Sequence, residues 1–280
     1  MSETIAVTTL VENSVPVRGL LAEHGLAFHL QAGPRSLLFD TGQSDLFLHN
    51  ALKLRIRLAD AQAIVLSHGH NDHTGGLTAA HEAAPQARLF LHRTALSQKF
   101  VRNPDGTTRS IGMDEATAET IRSAANAVVW TRKPTEVLDG IFVTGEIPRQ
   151  NTFEDTGGPF FRDAAGAQPD PLLDDQALYF DTQEGLVVLL GCGHSGVVNT
   201  LDYVQQLTGG RPIHAILGGL HLLTANPERM DKTIAAFRRL NIQRLAPAHC
   251  TGLHAQAQLW TAFSDRCSSC AVGTQLSFQL

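Results

Sequence analysis

The chain has 280 residues, of which 43% are hydrophobic and 18% charged, so it is long enough to bury a large core. Its 27 acidic and 22 basic residues give a net charge of −5, without a long run of either sign. This balance argues against nucleic acid as the main partner, because neutralising phosphates requires a basic face. The longest apolar runs, such as residues 186–190, are strand-sized, so no membrane span or membrane partner is expected.

Short apolar runs bounded by turns predict alternating strands and helices in the first half of the chain. One run, residues 61–66, ends directly at Ser67-His68-Gly69-His70. Gly75-Gly76-Leu77 then opens a predicted helix through about Ala84, so the histidine-rich segment lies on a strand-to-helix turn. Further strands are predicted at residues 5–10, 27–30, 36–39 and 86–93, and an amphipathic helix at residues 114–127.

The second half of the chain is also predicted to alternate strands and helices, after a segment of different composition. Residues 146–171 are rich in Gly, Pro and Asp and are predicted to form a long surface excursion, such as a lid or substrate loop. A hairpin around Glu184-Gly185 and two helices are then expected, one closed by Gly209-Gly210 and one begun by Asn226-Pro227. The predicted strands are residues 177–180, 186–190, 213–217 and 242–245.

Four of the strand-like runs lead into a histidine: His68, His194, His221 and His249. Open α/β sheets place ligands at the carboxyl ends of their strands. Two strand layers with helices outside would bring these four strand ends to one edge, so the sequence predicts a functional site built from distant segments.

Residues 1–280 are expected to form a single domain, because no stretch of the chain has the composition of a linker. The N-terminus has neither the basic nor the apolar region of a secretory signal. Four cysteines are too few for a disulfide scaffold of this size, so a reduced, cytoplasmic protein is predicted. Cys267 and Cys270 form a single Cys-x-x-Cys pair, which we interpret as local packing. The oligomeric state is left open.

The segment His68-Gly69-His70-Asn71-Asp72-His73 contains three imidazoles and a carboxylate within six residues. These are the usual non-sulfur ligands of zinc and related divalent metals. In an extended turn, residues two apart point the same way, so His68 and His70 can share one metal. Asp72 and His73 then face an adjacent position. A solvated loop is the alternative interpretation, but this full spacing on a strand-to-helix turn is rare, so a metal site is predicted.

The spacing His68-x-His70-x-Asp72-His73 resembles the metal-binding signature of the metallo-β-lactamase superfamily. Asp40-Thr41-Gly42, at a strand end, resembles the aspartate that usually supports the histidines in that family. From about Leu10 to the C-terminus, the chain is similar to a branch that includes proteins named dihydropterin ribofuranosylaminobenzene phosphate synthases, linked to methanopterin biosynthesis. The motifs that carry the branch likeness as a set are Glu23-His24-Gly25, residues 38–43, Ser67-His68-Gly69-His70, Gly191-Cys192-Gly193-His194, Gly218-Gly219-Leu220-His221-Leu222 and His249-Cys250-Thr251-Gly252.

This resemblance implies an α/β fold, a four-layer αβ/βα sandwich in which two mixed β-sheets face each other with helices outside. It also implies two metal positions with three ligands each. The ligands would be His68, His70 and His194 for one metal, and Asp72, His73 and His249 for the other.

The sequence departs from the family pattern at the carboxylate that usually bridges the two metals. That carboxylate normally follows a glycine at a strand end, but Gly191 is followed here by Cys192. Three alternatives follow. Cys192 replaces the carboxylate, His221 replaces it, or the second metal is weakly bound or absent.

The activity implied by the resemblance is metal-dependent hydrolysis through a metal-activated water, because a bound metal lowers the pKa of water to about 7. Asp72 would orient that water, and Asp40 would fix the tautomer of a ligating histidine. Zinc is the expected metal, as one or two ions, with Mn²⁺ or Fe as alternatives. The partner is expected to be a small, anionic, phosphate-bearing substrate. Basic side chains that could clamp a phosphate near the excursions are Arg93, Lys99, Arg102, Arg109 and Arg162.

Two other classes of function stay open at this point. One is a condensation of the dihydropterin/ribofuranosylaminobenzene phosphate synthase type, which would use the metals to activate a leaving phosphate. The other is a metal-containing ligand-binding protein with little turnover. A β-lactam substrate is not expected, because the branch resemblance indicates other chemistry.

Overall fold

The computed structural model describes residues 4–280 and contains three β-sheets in that range. The strands, in chain order, are β1 (Thr4–Val11), β2 (Ala27–Ala32), β3 (Arg35–Phe39), β4 (Ala61–Val65), β5 (Arg88–Leu91), β6 (Phe100–Arg102), β7 (Thr108–Ser110), β8 (Val128–Trp130), β9 (Thr135–Leu138), β10 (Ile141–Val143), β11 (Phe160–Phe161), β12 (Ala177–Phe180), β13 (Leu186–Leu190), β14 (Ile213–Gly219), β15 (Arg244–Ala248) and β16 (Gln275–Gln279).

Seven α-helices connect these strands in residues 4–280, and none of them is long and apolar enough to cross a membrane. The predicted cap of the sixth helix is present, since Asn226 Oδ1 accepts the Arg229 N–H and Pro227 occupies the first turn. The helices are α1 (Leu46–Lys53), α2 (Asn71–Thr74), α3 (Leu77–Ala83), α4 (Glu115–Ser123), α5 (Val197–Leu207), α6 (Pro227–Arg239) and α7 (Leu253–Ala262).

The two large sheets mix parallel and antiparallel pairs. One has the strand order β16-β1-β2-β3-β4-β5-β8 and the other β15-β14-β13-β12-β10-β9. Strands β3, β4, β5 and β8 run parallel, as do β13, β14 and β15. The hairpin predicted around Glu184-Gly185 joins the antiparallel strands β12 and β13.

The buried apolar residues form three layers of core. Phe28 and Phe39 from one sheet pack with Phe180 from the other, which places a core between the sheets. A second core lies under α5, α6 and α7 around Phe237, and a third under α1, α3 and α4 around Phe47. The predicted four-layer αβ/βα sandwich is therefore confirmed: two sheets face each other and the helices cover their outer faces.

Several element boundaries differ from the sequence prediction; the strand expected over residues 86–93, for example, is the shorter β5. The helix expected over residues 114–127 is α4, which ends at Ser123 and is followed by a 3₁₀ turn at Ala125–Ala127. The strand expected over residues 242–245 begins two residues later, because Asn241 adopts a left-handed φ of 52° and the Ile242 N–H bonds back to Phe237. Ile242 therefore belongs to the end of α6, where it closes the last turn.

A small third sheet, with the order β11-β6-β7, was not predicted. We call these three strands the roof, because they lie over the edge of the sandwich at which the histidines gather. Their segments are short and partly exposed, and Thr108–Ser110 is entirely polar, so no apolar period marks them. The predicted excursion at residues 146–171 supplies β11 and pairs with β6.

His29 in β2 is 3% exposed, and burial lowers its pKa from 6.5 to about 4. Between these pH values the unfolded chain binds a proton that folded His29 does not, so the free energy of unfolding decreases as the pH falls through this window. We expect His29→Gln to reduce this loss between pH 7 and pH 4.5 by about 2–3 kcal/mol in urea denaturation. The matched variant His254→Gln, at an exposed histidine, is expected to keep the wild-type pH dependence. Equal pH dependence in His29→Gln and wild type would contradict the prediction.

Candidate metal centre

The predicted site residues follow the ends of strands in both large sheets. Asp40 follows β3, His68 follows β4, Cys192 follows β13, His221 follows β14 and His249 follows β15. The carboxyl ends of neighbouring parallel strands lie at the same edge of a sheet, and the two sheets present these edges to each other. The fold thus brings together side chains that are more than two hundred residues apart in sequence.

A first ligand group consists of His68, His70 and His194. Their ring centroids lie 4.5 to 4.8 Å apart. Within residues 4–280, the Nε2 atom of each ring is buried and has no hydrogen-bond partner. Three buried nitrogens without hydrogen-bond partners at one point would reduce the stability of a protein interior. A cation between them would accept all three lone pairs, so this group fits a metal.

A second ligand group consists of Asp72, His73 and His249. His73 Nε2 lies 3.3 Å from His249 Nε2, which lies 3.3 Å from Asp72 Oδ2. Cys192 Sγ is 3.1 Å from His73 Nε2 and also lies within 4.8 Å of ligand atoms of His68 and His194. The thiol of Cys192 therefore stands between the two groups.

Asp40 supports a histidine of each group. Its Oδ2 accepts a hydrogen bond from His73 Nδ1 at 2.7 Å and another from Ser67 Oγ at 2.7 Å. Because the Ser67 hydroxyl donates to Asp40, it accepts from His68 Nδ1 at 2.9 Å. Both imidazoles thus carry their proton on Nδ1, which leaves the Nε2 lone pairs directed at the centre. Ser67 is a part of the site that the sequence interpretation missed.

Backbone and amide oxygens orient two of the remaining three histidines of the groups, His194 and His249. His194 Nδ1 donates to the Thr156 carbonyl at 2.8 Å, and His249 Nδ1 donates to Asn13 Oδ1 at 2.9 Å. The sequence interpretation missed both acceptors, since Thr156 lies in the excursion and Asn13 in a loop after β1. Neither segment carries a motif that would have indicated this role.

Three of the site residues adopt left-handed backbone conformations that non-glycine residues rarely take. The φ angles are 60° at Asp40, 46° at His221 and 49° at His249. Such conformations are strained, and they persist where the surrounding structure imposes a side-chain direction. Their concentration at this edge of the sandwich supports a functional role for the cluster.

Burial dominates the ionisation of the first group. It lowers the pKa of His68 and His194 well below 6.5 and that of His70 to about 3. Burial also raises the pKa of the Cys192 thiol well above its ordinary value, and the neighbouring Cys250 raises it further. The imidazoles are therefore neutral and ready to act as ligands, whereas the thiol must release its proton in order to bind a metal as a thiolate.

In the second group, nearby charges outweigh the effect of burial on the pKa values, because the carboxylates of Asp72 and Asp40 lie in or beside it. Burial alone would raise the pKa of Asp72, but the neighbouring imidazoles of His73, His24 and His249 hold it well below 3.8. Burial alone would lower the pKa of His73, but Asp40 and Asp72 raise it to about 9. Asp72 is therefore an anion whose charge suits a bound cation.

His221 and His24 lie beside the two groups. The His221 ring is 4.3 Å from that of His194, and a ring nitrogen of His221 lies within 4.8 Å of the thiols of Cys192 and Cys250. Its Nδ1 is packed against Gly157, where an added Cβ would be 1.9 Å away, so only glycine fits there. His24 is largely exposed and its Nε2 lies 3.2 Å from Asp72 Oδ2.

The roof closes the site from above. The Phe160 ring lies 5.2 Å from the rings of both His70 and His194, and Asn71 N–H donates to the Ile111 carbonyl. Beneath the roof is a cavity of about 600 Å³, a size typical of small-molecule sites. His70, Asp72, Cys192, His194, His221 and His249 all line it.

Lys99, suggested by the sequence as a phosphate clamp, has a different role. It is 1% exposed, and its Nζ lies 3.1 Å from Asp170 Oδ2 and 2.8 Å from Asp174 Oδ1. Asp174 in turn accepts the Gly69 N–H at 2.8 Å. The ammonium group therefore joins the roof to the histidine turn, and Lys99 is not among the residues that line the cavity.

Comparison with known proteins agrees with this geometry. The model of the metallo-beta-lactamase superfamily matches residues 24–89, which include the histidine turn. A 7,8-dihydropterin-6-methyl-4-(beta-D-ribofuranosyl)-aminobenzene-5'-phosphate synthase from Methanocaldococcus jannaschii is 28% identical over 274 residues, covering 94% of this chain and 93% of that protein.

Similarity to solved structures extends over the whole fold. Tm1679, described as a metal-dependent hydrolase of the beta-lactamase superfamily, is 31% identical, with a TM-score of 0.81 over 99% of this chain and 100% of that chain. Zn(2+)-bound PqqB from Methylobacterium extorquens is 15% identical, with a TM-score of 0.59 over 97% of this chain and 99% of that chain, which shows a shared fold alone. From the full-length likeness to Tm1679 and the motif match, the chain belongs to the metallo-β-lactamase superfamily.

Proposed function

We propose that this protein is a metal-dependent hydrolase of a small, phosphate-bearing anion, with a metal-activated water as the nucleophile. The observation that carries the proposal is the convergence of three unpartnered buried Nε2 atoms, from His68, His70 and His194, beside a second cluster of ligand atoms. No ordinary packing role accounts for that arrangement.

The donor set favours zinc in one or two positions, with Mn²⁺ or Fe as alternatives. Imidazole and thiolate suit zinc and iron, whereas carboxylate-rich sites suit Mg²⁺ and Mn²⁺. We propose that His68, His70 and His194 hold one ion and that Asp72, His73 and His249 hold the other. Cys192 would serve both positions, since its Sγ lies within 4.8 Å of ligand atoms of both groups, whereas among the described residues His221 is grouped only with Cys192 and Cys250.

A metal held in this centre supplies a nucleophilic water at neutral pH and polarises the substrate oxygen. The chain's own residues orient and protect that chemistry. Asp72 lies at the cavity wall as an anion, where it would orient the attacking water. Asp40 holds the tautomers of His68 and His73, and Phe160 excludes bulk water from the histidine rings.

The site also supports the proposal that residues 1–280 act as one domain. Its groups come from Asn13 near the start of the chain, from the central histidine turn and from His249 near the end. Neither half of the chain could assemble the centre without the other.

A second candidate is a synthase-type condensation. It is favoured by the full-length similarity to the synthase of Methanocaldococcus jannaschii. A third candidate, a metal-containing binding protein with little turnover, would keep the same ligand geometry. All three share the centre, so substrate assays must separate them.

The test uses zinc-loaded protein with bis(4-nitrophenyl) phosphate, 4-nitrophenyl acetate and a simple lactone. We expect turnover of the phosphodiester that is lost on chelation and restored by zinc. Turnover of none of these, together with tight binding of pterin-like or ribosyl phosphate ligands, would favour the synthase instead. Binding of such ligands without any product would favour the third candidate.

The place of Cys192 can be tested spectroscopically in cobalt-substituted protein. A thiolate bound to Co²⁺ gives an intense charge-transfer absorption that nitrogen and oxygen ligands lack. We expect this absorption in the wild type and in Cys250→Ser, and its loss in Cys192→Ser, because only the Cys192 thiol stands between both groups. Retention of the absorption in Cys192→Ser would contradict the bridging role.

A further inference from the structure

The basic side chains of the roof and its flanks are engaged, with one exception. Lys99 is buried between two aspartates. Arg102 donates to the Gly166 carbonyl and stacks on Phe161, and Arg162 lies 3.5 Å from Asp170. Arg93 lies 4.8 Å from the centroid of a Trp130 ring and outside the cavity lining. The exception is Arg109.

The side chain of Arg109 makes no hydrogen bond or ion pair with any residue in the described range 4–280. The nearby carboxylates that line the cavity are already engaged. Glu12 accepts from Ser14 and from the His249 N–H, and Asp72 lies in the second ligand group. The guanidinium of Arg109 therefore offers its full set of donors to a ligand.

The register of the roof directs Arg109 at the cavity. Arg109 in β7 pairs with Val101 in β6, and Val101 pairs with Phe160 in β11. Directly opposed residues of adjacent strands project from the same face of a sheet. All three line the cavity, so the roof presents a row of two apolar side chains that ends in a guanidinium.

A second part of the cavity lining, the leucine wall, is apolar and accessible. Leu223 and Leu253 are 66% and 80% exposed, although both line the cavity. Exposed leucines that share a cavity with Val101 and Phe160 fit the apolar body of a ligand. Ile111, whose carbonyl accepts from Asn71 beside the metal ligands, lies two residues from Arg109, about 7 Å along the strand.

We propose that Arg109 is a specificity-determining residue that binds an anionic group of the substrate, phosphate or carboxylate, remote from the bond that is broken. The substrate is then an organic anion whose apolar body lies between the roof and the leucine wall, with its reactive group at the metal centre. A guanidinium suits this role because its fork of donors matches two oxygens of a phosphate or carboxylate. The inference rests on the proposed function for the location of the reacting bond.

Calorimetric titration of the zinc-loaded protein with 2-naphthyl phosphate, 2-naphthoate and 2-naphthol tests this inference. We expect Arg109→Met to raise the dissociation constant of the better-bound anion about tenfold or more and to leave that of 2-naphthol unchanged, with Arg109→Lys intermediate. The matched control Arg93→Met removes the same charge outside the cavity and is expected to stay within about twofold of wild type.

Preference for phosphate or carboxylate in these titrations identifies the anionic group. Wild-type affinity of Arg109→Met for both anions would overturn the inference, as would equal weakening of 2-naphthol. Because heat of binding is measured, the result is independent of turnover. Loss of anion binding in Arg109→Met supports the site even if no ester or phosphodiester is hydrolysed, which would contradict only the hydrolase proposal.

Discussion

Replacing His68 or His249 with alanine is expected to remove about one equivalent of metal in each case. His68 belongs to the ligand group with His70 and His194, and His249 to the group with Asp72 and His73, so each substitution empties a different position. A metal supplies several kcal/mol of transition-state stabilisation, so turnover is expected to fall about a thousandfold in both variants. Elemental analysis of the purified proteins measures the first effect directly.

The control is His254→Ala, at an exposed histidine outside the cavity lining, which is expected to keep the full metal content and activity. Loss of all metal in both variants would indicate that the two positions fill only together, through their shared Cys192. Unchanged metal in both variants would contradict the assignment of these two imidazoles as ligands.

Lys99→Met is expected to cost about 3–5 kcal/mol of unfolding free energy, the range observed when one partner of a buried ion pair is removed. The side chains of Asp170 and Asp174 are 6% and 0% exposed, so both carboxylates would stay buried without their cation. Chemical denaturation measures this loss. Because Asp174 also holds the Gly69 N–H, metal affinity is expected to weaken as well, by about tenfold.

Arg162→Met provides the control for Lys99→Met. Arg162 contacts the same Asp170 but is half-exposed and 3.5 Å away, so its loss is expected to cost less than about 1 kcal/mol. If Lys99→Met does not fold, Lys99→Met combined with Asp170→Asn and Asp174→Asn removes all three charges and is expected to recover much of the stability. An equal effect of Arg162→Met and Lys99→Met would show that burial of the ammonium is unimportant.

The histidine turn was readable from local spacing alone. His68, His70, Asp72 and His73 lie within six residues, and the strand-to-helix turn that presents them is marked by an apolar run before and glycines after. The alternation of strands and helices followed from the same local signals, because each apolar run has the length of a strand or the period of a helix, whereas the four-layer sandwich was implied by the family resemblance. Those signals involve residues that are close together in sequence, so they can be recognised without a structure.

The roof and the oxygens that orient the histidines were not readable in this way. β6 and β11 pair across nearly sixty residues, and Thr156 reaches His194 only because the excursion passes over the site. Lys99 and Arg109 look alike in the sequence, yet Lys99 is held between two aspartates, whereas the Arg109 side chain lines the cavity with no ion-pair partner among residues 4–280. Their difference depends on strand register and on which carboxylates lie nearby.

For this protein, the sequence by itself determined the candidate ligand types, the histidine turn and, through the family resemblance, the layered α/β architecture. Tertiary structure alone decided that Cys192 stands between the two ligand groups, that Asp40 reaches both of them, and that the Arg109 side chain has no partner among residues 4–280. The physical reason is separation in sequence, because backbone periodicity and ligand spacing are properties of a few consecutive residues. Distances between side chains from separate strands exist only once the two sheets have packed.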